Sequence, residues 1–466
     1  MANEQQCFQQ TRPFRIIIVG GGLVVITAAH IFSQTDIDFV ILEQHDNLTP
    51  RFGSVLGLWP ATHRILHQLG IRDAILPMIS PLEDSHTISA HDGSLVRVTQ
   101  GLDTLWTRNH GYGCGVMSRP QFVNILYACL PESAKARIHV GKRVTDIEVL
   151  SDGVRVHCAD GTVEQGTIVI GADGVHSRTR QCMEALIEGK SAGKVDRDME
   201  RPYLATYRML LGNLPEVPRL KPGGVYQSTS YGQSSQVVME KGRGWWIVYE
   251  ALEEPTRRRH RYTEQDKQDM ISKYGDRHMA PGYRLRDIYS LTVGEAHLIN
   301  LEEGRVDRWS WGGRIALVGD AVRKLHPQAG FGYNSGVGDI TELANGLYRL
   351  LHSAQGSKEG GPSTEVPSAD MLQDVFDEYE KKRKESETTV HVVSRTFARD
   401  LAWLNWGHRL MATWVMPVLP LVRWVIDYMM APVIARAPVL DWLQETELPQ
   451  GASPWLCHPQ LKATNG

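Results

Sequence analysis

Four short stretches of continuous apolar residues, rich in Val and Ile, are the clearest pattern along the chain. They lie at 15–19, 39–42, 167–170 and 315–318. A run of this length without alternation is typical of a strand buried on both faces of a parallel sheet. Each run is followed at once by glycine or by an acidic residue. The pattern predicts an α/β fold built on a parallel sheet.

The first two stretches form a strand–turn–helix–strand unit of the Rossmann type. Gly20 and Gly22 lie in the turn, residues 23–32 have helical spacing, and Glu43 ends the second strand. An acidic residue about 20 positions after such a turn can accept hydrogen bonds from ribose hydroxyls. Glu43 favours a ribose without a 2′-phosphate. The third glycine of the pattern is Val25 here, and we expect it to push helix and strand apart and to weaken cofactor binding.

The fourth stretch leads into a second glycine-rich turn. Asp320 follows directly, then the run 327–334 (PQAGFGYN), and then a helical pattern. One acid, backbone N–H groups and a helix N-terminus together suit a cofactor with both anionic and hydroxyl groups. The alternative is an ordinary tight turn.

Between these motifs the pattern alternates. A hairpin is predicted at 85–100, where Asp92-Gly93 supplies the turn, and strand-like segments recur through 201–252. We expect these two regions to form a mostly antiparallel sheet. Residues 371–399 read as an amphipathic helix, and 354–368, rich in Gly, Ser and Pro, as a linker.

Composition limits the function classes. With 466 residues and a net charge of −3, the chain is large enough for two domains and an appendage, and it has no basic face for nucleic acid. The six cysteines show neither a C-x-x-C pair nor metal-ligand spacing, so we expect no metal and a reduced, intracellular setting. Residues 1–12 lack the apolar stretch of a signal peptide.

These glycine–acid turns, together with residues 53–60 (GSVLGLWP) and 118–122 (SRPQF), resemble the class A FAD-dependent monooxygenases, which have the para-hydroxybenzoate hydroxylase fold. Within that family the chain is most similar to fungal enzymes that act on terpenoids, meroterpenoids and prenylated indoles. The resemblance covers roughly residues 12–355. It implies a Rossmann-like FAD-binding domain, an inserted, mostly antiparallel β-sheet substrate domain and a C-terminal helical region. The boundaries expected are 12–84, 111–185 and 301–355 for the first, 85–110 and 186–300 for the second, and 369–450 for the third.

The resemblance also implies a set of FAD-binding residues. Gly20 and Gly22 are expected under the pyrophosphate, Glu43 on the adenosine ribose, and Asp320 on the ribityl chain. The other residues carried over are Gly57, Arg119, Asp173, Gly332 and Tyr333, the last through its backbone beside the flavin pyrimidine. Arg119 has the alternative of an exposed arginine at a helix start, and Asp173 that of a structural cap.

Two catalytic residues are expected on the antiparallel sheet. Relatives place an arginine and a tyrosine there, facing the flavin, and Arg208 with Tyr231 (or Tyr226) matches them. The alternative for Arg208 is a surface side chain. Arg323 stands where many relatives have histidine, so a proton relay through that position is in doubt. His326 either replaces it or only packs.

The resemblance implies that NAD(P)H reduces FAD and that O2 then forms a flavin C4a-hydroperoxide, which epoxidises or hydroxylates a small lipophilic substrate. Epoxidation of a terpenoid alkene comes first, and hydroxylation or spirocyclisation of an aromatic or indole ring second. Two other hypotheses are a flavin-dependent reductase of isoprenoid alkenes and a flavin-binding protein without catalysis. The oligomeric state stays open.

The C-terminal segment 403–442 is rich in tryptophan. Residues 411–434 are long enough to span a bilayer, but Arg423 and Asp427 lie near the middle and three prolines interrupt them. A hairpin in the membrane interface fits better than a span. The alternative is a helical cap on the FAD domain. We therefore expect a protein of the cytoplasm or of the cytosolic face of a membrane.

Overall fold

A computed structural model describes residues 13–49, 53–189, 202–353, 366–418, 421–445 and 447–460. It confirms the α/β fold with an antiparallel sheet and a helical C-terminal region. The proposed start segment 1–12 and most of the proposed linker, 354–365, lie outside the described residues.

The strands, numbered in chain order, are β1 (Arg15–Val19), β2 (Asp38–Leu42), β3 (Val55–Leu58), β4 (Ser80–Pro81), β5 (Asp84–Ser89), β6 (Leu95–Gln100), β7 (Gly115–Ser118), β8 (Ile138–His139), β9 (Val144–Val149), β10 (Val154–Cys158), β11 (Val163–Gly166), β12 (Ile168–Gly171), β13 (Leu204–Pro215), β14 (Val225–Ser230), β15 (Gln233–Glu240), β16 (Arg243–Thr256), β17 (His278–Ala280), β18 (Tyr283–Arg284), β19 (Val293–Arg305), β20 (Ser310–Trp311), β21 (Ile315–Leu317) and β22 (Arg323–Lys324).

The helices are α1 (Leu23–Phe32), α2 (Pro60–Gln68), α3 (Arg72–Ile75), α4 (Leu102–His110), α5 (Arg119–Ala128), α6 (Glu132–Lys135), α7 (Arg178–Ile187), α8 (Glu264–Tyr274), α9 (Leu285–Ser290), α10 (Gly332–Ser353), α11 (Ala369–Leu401), α12 (Trp406–Leu410), α13 (Met416–Val418), α14 (Leu421–Trp424) and α15 (Ala431–Ala435). Turns of 3₁₀ helix lie at Leu76–Met78, Gly319–Ala321 and Pro327–Ala329, and π-helical turns at Met411–Val415 and Val425–Met430.

The cofactor-type motifs all belong to one six-stranded sheet with the order β20-β21-β12-β1-β2-β8. Its pairs are parallel except β20 with β21. The central strands are fully buried, as their unbroken apolar sequences predict. Val19 lies beside both Leu42 and Gly171, and Gly171 beside Leu317. The carboxyl ends of four strands therefore meet at one edge of the sheet.

The second large sheet has eight strands in the order β22-β19-β13-β16-β15-β14-β5-β6. All pairs are antiparallel except β14 with β5, so the hairpin predicted at 85–100 joins the sheet as its edge. One face, which we call the outer face, packs on α8 and α9 through Leu210, Trp246 and their neighbours. The opposite face, which includes Tyr207 and Tyr249, packs on His326 and on Ala402, just after α11. We call this second one the inner face.

The C-terminal helices pack over the region around Trp106 and Phe331. Ile426, Met430 and Ile434 form one buried cluster with Trp106 and Phe331. Within the described ranges, none of the helices combines the length and the apolar composition needed to cross a bilayer.

Four charged side chains form a buried network between the 3₁₀ turn Gly319–Ala321, α10 and α11. Arg323 lies 2.9 Å from Asp339 and 3.1 Å from Glu387. Arg383 lies 2.8 Å from Asp339 and also pairs with Glu387. Asp339 further accepts the N–H of Gly319 at 2.9 Å. Burial opposes the charge on Arg323, but the two carboxylates raise its pKa above the usual value.

The network explains why histidine is absent at position 323. The guanidinium is directed into the helix layer and is 3% exposed, so Arg323 stabilises the fold, and because it stays protonated it cannot relay a proton.

We predict that Asp339→Ala lowers the free energy of unfolding by about 3–5 kcal/mol, since it leaves two buried arginines underpaired. Chemical denaturation of the apoprotein measures this loss. Lys382→Ala is the control, because Lys382 pairs with Glu342 and Glu378 at the surface, and its loss should cost less than about 1 kcal/mol. Equal losses in the two variants would contradict the role given to the network.

Candidate active site

The turn after β1 has a conformation that only glycine fits. Gly20 has φ +118°, and a Cβ there would lie 2.6 Å from the carbonyl oxygen of Ala172. Its N–H donates to Leu42 O at 2.9 Å. The turn thus holds the ends of β1, β2 and β12 together without any side chain between them.

Gly22 caps α1 differently. It has φ −74°, and a Cβ added there would have no atom within 4 Å, so it faces open space. No side chain among the described residues caps this helix, and its first turn contains no acid. Unfilled space in front of uncapped N–H groups is what a bound pyrophosphate requires.

Glu43 borders the same turn. Its Oε2 would lie 2.6 Å from a Cβ on Gly21, and its Oε1 accepts the N–H of His45 at 2.7 Å. The carboxylate is buried at the end of β2, which is where the Rossmann pattern predicts the ribose-binding acid.

The second glycine-rich turn lies against the first. Gly319 has φ +64°, and a Cβ there would lie 3.7 Å from Val24 Cγ2. The carboxylate of Asp320 pairs with Lys324, and a Cβ on Gly332 would lie 4.0 Å from Asp320 Oδ1. Asp320 is therefore placed between α1 and the start of α10.

Asn334 extends the arrangement to β3. Its amide nitrogen donates to Gly57 O and to Gly330 O, both at 2.9 Å, and its Oδ1 accepts the N–H of Trp59 at 3.0 Å. The Cβ position of Gly57 is 3.7 Å from Gly330 Cα. Glu43, the two turns and Gly57 therefore adjoin one another in a row, and we call this row the glycine slot.

Val25 is tolerated without an opening of the structure. It is 1% exposed, and its neighbour Val24 packs on Gly336 of α10, where any Cβ would come within 2.5 Å of Val24 Cγ2. Close packing at this helix therefore depends on a glycine supplied by α10.

Two predicted ligands use their side chains for other contacts, and a third is exposed to solvent. Asp173 adjoins Gly20, but its carboxylate accepts from Ser177 Oγ at 2.5 Å and from Thr179 N at 2.9 Å, so it supports the start of α7, where Ser177 is the N-cap. The Tyr333 hydroxyl is bonded to Thr27 at 2.9 Å, so only the main chain of Tyr333 is available. Arg119 is exposed at the start of α5.

The two predicted catalytic residues are not brought to the slot. Arg208 lies on the outer face of the eight-stranded sheet, 2.5 Å from Glu250, which also binds Lys273 of α8. Tyr231 lies in the turn between β14 and β15, is 58% exposed, and accepts a hydrogen bond from Arg409 at 2.5 Å. Tyr226 also belongs to the outer face, where it packs in the cluster with Trp246.

Different residues occupy the inner face. Gln236 donates to Gln328 O at 3.3 Å, and Gln328 donates to Ser234 at 3.4 Å, which joins the sheet to the Pro327–Ala329 turn. Gln227 and Thr229 lie directly opposite Gln236 and Ser234 and so share their face. The sequence shows only that residues 227–230 and 233–236 are unbroken polar runs, which do not tell which side chains point to the inner face.

Several buried polar atoms at this face have no hydrogen-bond partner among the described residues. They belong to Arg97 (Nε), Tyr207 (Oη), Gln227 (Oε1), Thr229 (Oγ1), His326 (Nε2) and Gln328 (Oε1). Unsatisfied buried groups are costly and therefore indicate a ligand or ordered water. We call these six residues the polar strip.

His326 is enclosed by aromatic rings. The centroids of Tyr207 and Tyr249 lie 5.1 and 5.2 Å from its ring. Burial lowers the pKa of His326 to about 4, and burial raises the pKa of Tyr207 above its usual value. Near neutral pH the imidazole is uncharged and the phenol keeps its proton.

An aromatic wall adjoins the strip in the chain, since Phe331 lies three residues after Gln328. Trp59 stacks on Phe331 with centroids 5.1 Å apart, and its other contact is the edge of Trp106 at 5.0 Å. Phe331 directly precedes α10, so this apolar wall adjoins the glycine slot.

Comparison with known proteins also indicates an FAD-binding protein. The sequence profile of a family described as FAD binding domain matches residues 14–358. FAD-dependent monooxygenase srdH of Neurospora crassa is 32% identical over 84% of this chain and 88% of its own length. FAD-dependent monooxygenase spyC of Aspergillus fumigatus is 30% identical over 87% of this chain and 83% of its own length.

Solved structures share the fold at lower identity. HpxO of Klebsiella pneumoniae, solved with FAD and uric acid, superposes with a TM-score of 0.70 at 18% identity, covering 90% of this chain and 96% of its own. For 2,6-dihydroxypyridine-3-hydroxylase from Arthrobacter nicotinovorans, the TM-score is 0.63 at 18% identity, over 85% of this chain and 94% of its own.

We predict that Gly22→Ala raises the Kd for FAD at least about tenfold, since the added methyl group enters the space in front of α1. The apoprotein should lose less than about 1 kcal/mol of stability. Gly20→Ala is the contrasting variant, because its methyl group meets the Ala172 carbonyl and destabilises the fold itself. Flavin fluorescence titration and apoprotein melting separate the two effects. Unchanged FAD affinity in Gly22→Ala would remove the cofactor from this turn.

Proposed function

The chain belongs to the FAD binding domain family and is an FAD-dependent monooxygenase, and on that premise we propose that it oxygenates a small lipophilic secondary metabolite with NAD(P)H as electron donor. The substrate classes proposed are terpenoids, meroterpenoids and prenylated indoles. Epoxidation of an alkene is the first choice of reaction, and hydroxylation or spirocyclisation of an aromatic or indole ring is the second. Such substrates partition into membranes, so we place the enzyme at the cytosolic face of one.

The observation that carries the proposal is the pairing of the aromatic wall with the polar strip. The wall offers apolar contact through Trp59 and Phe331, and the strip offers buried, unpaired hydrogen-bonding atoms. A ligand with a large apolar body and a few oxygen or nitrogen atoms would satisfy both. Oxygenated terpenoids and prenylated indoles have this composition.

The residues of the glycine slot fit FAD. The N–H groups near Gly20 and Gly22 would hold the pyrophosphate, Glu43 the adenosine ribose, and Asp320 the ribityl hydroxyls. Bound FAD supplies the redox chemistry, taking electrons from NAD(P)H and activating O2.

The protein's own part is to orient the substrate and to exclude water. The Tyr207 phenol is protonated near neutral pH, as a tyrosine of ordinary pKa is, and burial raises its pKa further. Its unpaired hydroxyl can therefore donate a hydrogen bond to a substrate oxygen. His326, neutral because burial lowers its pKa to about 4, adds no charge beside the substrate. The C-terminal helices, through Ile426 and Met430, keep water from the aromatic wall.

Labelled oxygen tests the proposed reaction. The FAD-loaded enzyme is incubated with NADPH, ¹⁸O2 and a panel of linear terpenes, prenylated phenols and prenylated indoles, and the products are analysed by mass spectrometry. We expect one product that carries a single ¹⁸O atom. A product that gains two hydrogens without oxygen under anaerobic conditions would establish the alkene reductase instead. A protein that takes up FAD and converts no member of the panel would support the non-catalytic alternative.

We further predict that Gln227→Leu and Thr229→Val each raise the KM of that substrate about three- to tenfold, since each removes one hydrogen bond to it. The kcat should change less than KM. Ser228→Ala is the matched control: Ser228 lies between them on β14, faces the other side, and bonds Ser235 at 2.6 Å. Steady-state kinetics provide the measurement, and an equal effect of Ser228→Ala would argue against the strip.

A further inference from the structure

The C-terminal helices carry exposed aromatic side chains on their outer side. Trp406 is 79% exposed, Trp414 70% and Tyr428 69%. Four neighbouring apolar residues are exposed as well, namely Leu404, Leu410, Met411 and Trp424. We call these seven residues the tryptophan surface. Scattered apolar residues on a protein surface are ordinary, but a cluster of large rings on one segment marks an interaction site.

The spacing places these residues on helix faces. Trp406, Leu410 and Trp414 follow each other at four-residue steps through α12 and the π-helical turn Met411–Val415. Trp424 and Tyr428 are also four apart, with ring centroids at 5.9 Å. The opposite side of the same segment is buried through Ala412, Ile426 and Met430. The segment therefore has apolar residues on both sides: one side is packed against the protein and the other is exposed to solvent.

The charges beside the rings are mainly positive. Arg409, Arg423 and Arg436 are exposed along the segment. The carboxylate of Asp427 binds Arg108 at 2.5 Å and Asn109 at 2.8 Å, and it also lies 3.4 Å from Arg423. The carboxylate of Asp400 binds His408 at 2.6 Å. Arg409 donates to Tyr231 and Arg423 pairs with Asp427, but both side chains stay exposed to solvent. Exposed guanidinium groups next to indole and phenol rings match the phosphate groups and the boundary zone of a lipid bilayer.

We propose that the tryptophan surface docks the protein on an anionic phospholipid bilayer, with the rings at headgroup depth and the arginines on lipid phosphates. A spanning mode does not apply to the described helices, because none is long and apolar enough. The surface favours lipid over a protein partner, since indole and phenol rings suit the apolar–polar boundary and the arginines suit phosphate.

Docking on a bilayer would give a substrate dissolved in the lipid a short route to the proposed substrate pocket. The inner side of this segment packs on Phe331 and Trp106, which belong to or adjoin the aromatic wall. One helical layer thus separates the lipid-facing rings from the proposed substrate pocket. This consequence rests on the proposed function, whereas the docking itself requires neither substrate nor turnover.

Vesicle flotation with the FAD-loaded full chain tests the docking. We expect the protein to float with vesicles of phosphatidylcholine and phosphatidylserine, and Trp406→Ser/Trp414→Ser to reduce the bound fraction at least about tenfold. The matched control is Leu95→Ser/Val293→Ser, which removes two apolar residues that are 61% and 54% exposed elsewhere. Flavin content and melting temperature, unchanged in both variants, show that the fold is intact.

Charge gives a second, independent readout. Arg423→Gln should weaken binding to the phosphatidylserine vesicles about fivefold and leave binding to pure phosphatidylcholine vesicles nearly unchanged. Quenching of tryptophan fluorescence by brominated phosphatidylcholine should fall in the Trp406→Ser/Trp414→Ser variant.

Three outcomes would overturn the proposal. One is wild-type protein that does not float with either kind of vesicle. Another is full binding by the Trp406→Ser/Trp414→Ser variant. The third is wild-type protein that ignores vesicles but self-associates in sedimentation velocity, with the association lost in that variant, because the surface would then join two copies of the chain. Each result is obtained without substrate, so it leaves the oxygenation test untouched.

Discussion

The buried ionic network of Arg323, Asp339, Arg383 and Glu387 is the constraint on which the site depends. Its two guanidinium groups and two carboxylates neutralise each other's charge in a buried region, where water does not solvate them. Asp339 also fixes the backbone of Gly319, and Arg383 donates to Ser335 O at 3.1 Å. The turn that presents Asp320, the start of α10 and the long helix α11 are thereby held in one geometry. Apolar packing would stabilise the same region as well, but it would not orient a turn whose N–H groups must point at a ligand.

The glycine slot was predictable from the sequence because its chemistry is local. Gly20 and Gly319 have backbone conformations that other residues adopt with strain, and each directly follows a strand that its apolar sequence identifies. Parallel pairing then brings the carboxyl ends of the strands to one edge of the sheet, irrespective of the length and conformation of the loops between them. The α/β fold and its antiparallel sheet follow from the same local patterns.

The inner face was not predictable, because it depends on the phase of the alternation. Tyr207 and Arg208 are neighbours, and the pairing with β16 and β19 sends the first toward His326 and the second toward Glu250. A shift of one residue would exchange them. The resemblance favoured arginine, and nothing in a single sequence states the register. Asp173 shows a related limit: an acid after a strand has the same sequence whether it binds a ligand or caps the next helix.

In the C-terminal region a single layer of helix lies between the protein core and the solvent-exposed surface. Its buried side completes the cluster around Phe331, and its open side presents rings and guanidinium groups. Two π-helical turns, at Met411–Val415 and Val425–Met430, lie in the part of this region that carries the exposed rings. Such turns are uncommon in ordinary packing and often accompany functional segments.

The order of strands in the parallel sheet has a consequence for biosynthesis. β1, β12 and β21 are adjacent in space, yet they begin at residues 15, 168 and 315. A nascent chain that has left the ribosome up to the middle of the molecule exposes an unpaired sheet edge and half of a nucleotide cradle. The nucleotide cradle is therefore complete only after the last of these strands has left the ribosome, and until then the growing chain has an unpaired sheet edge.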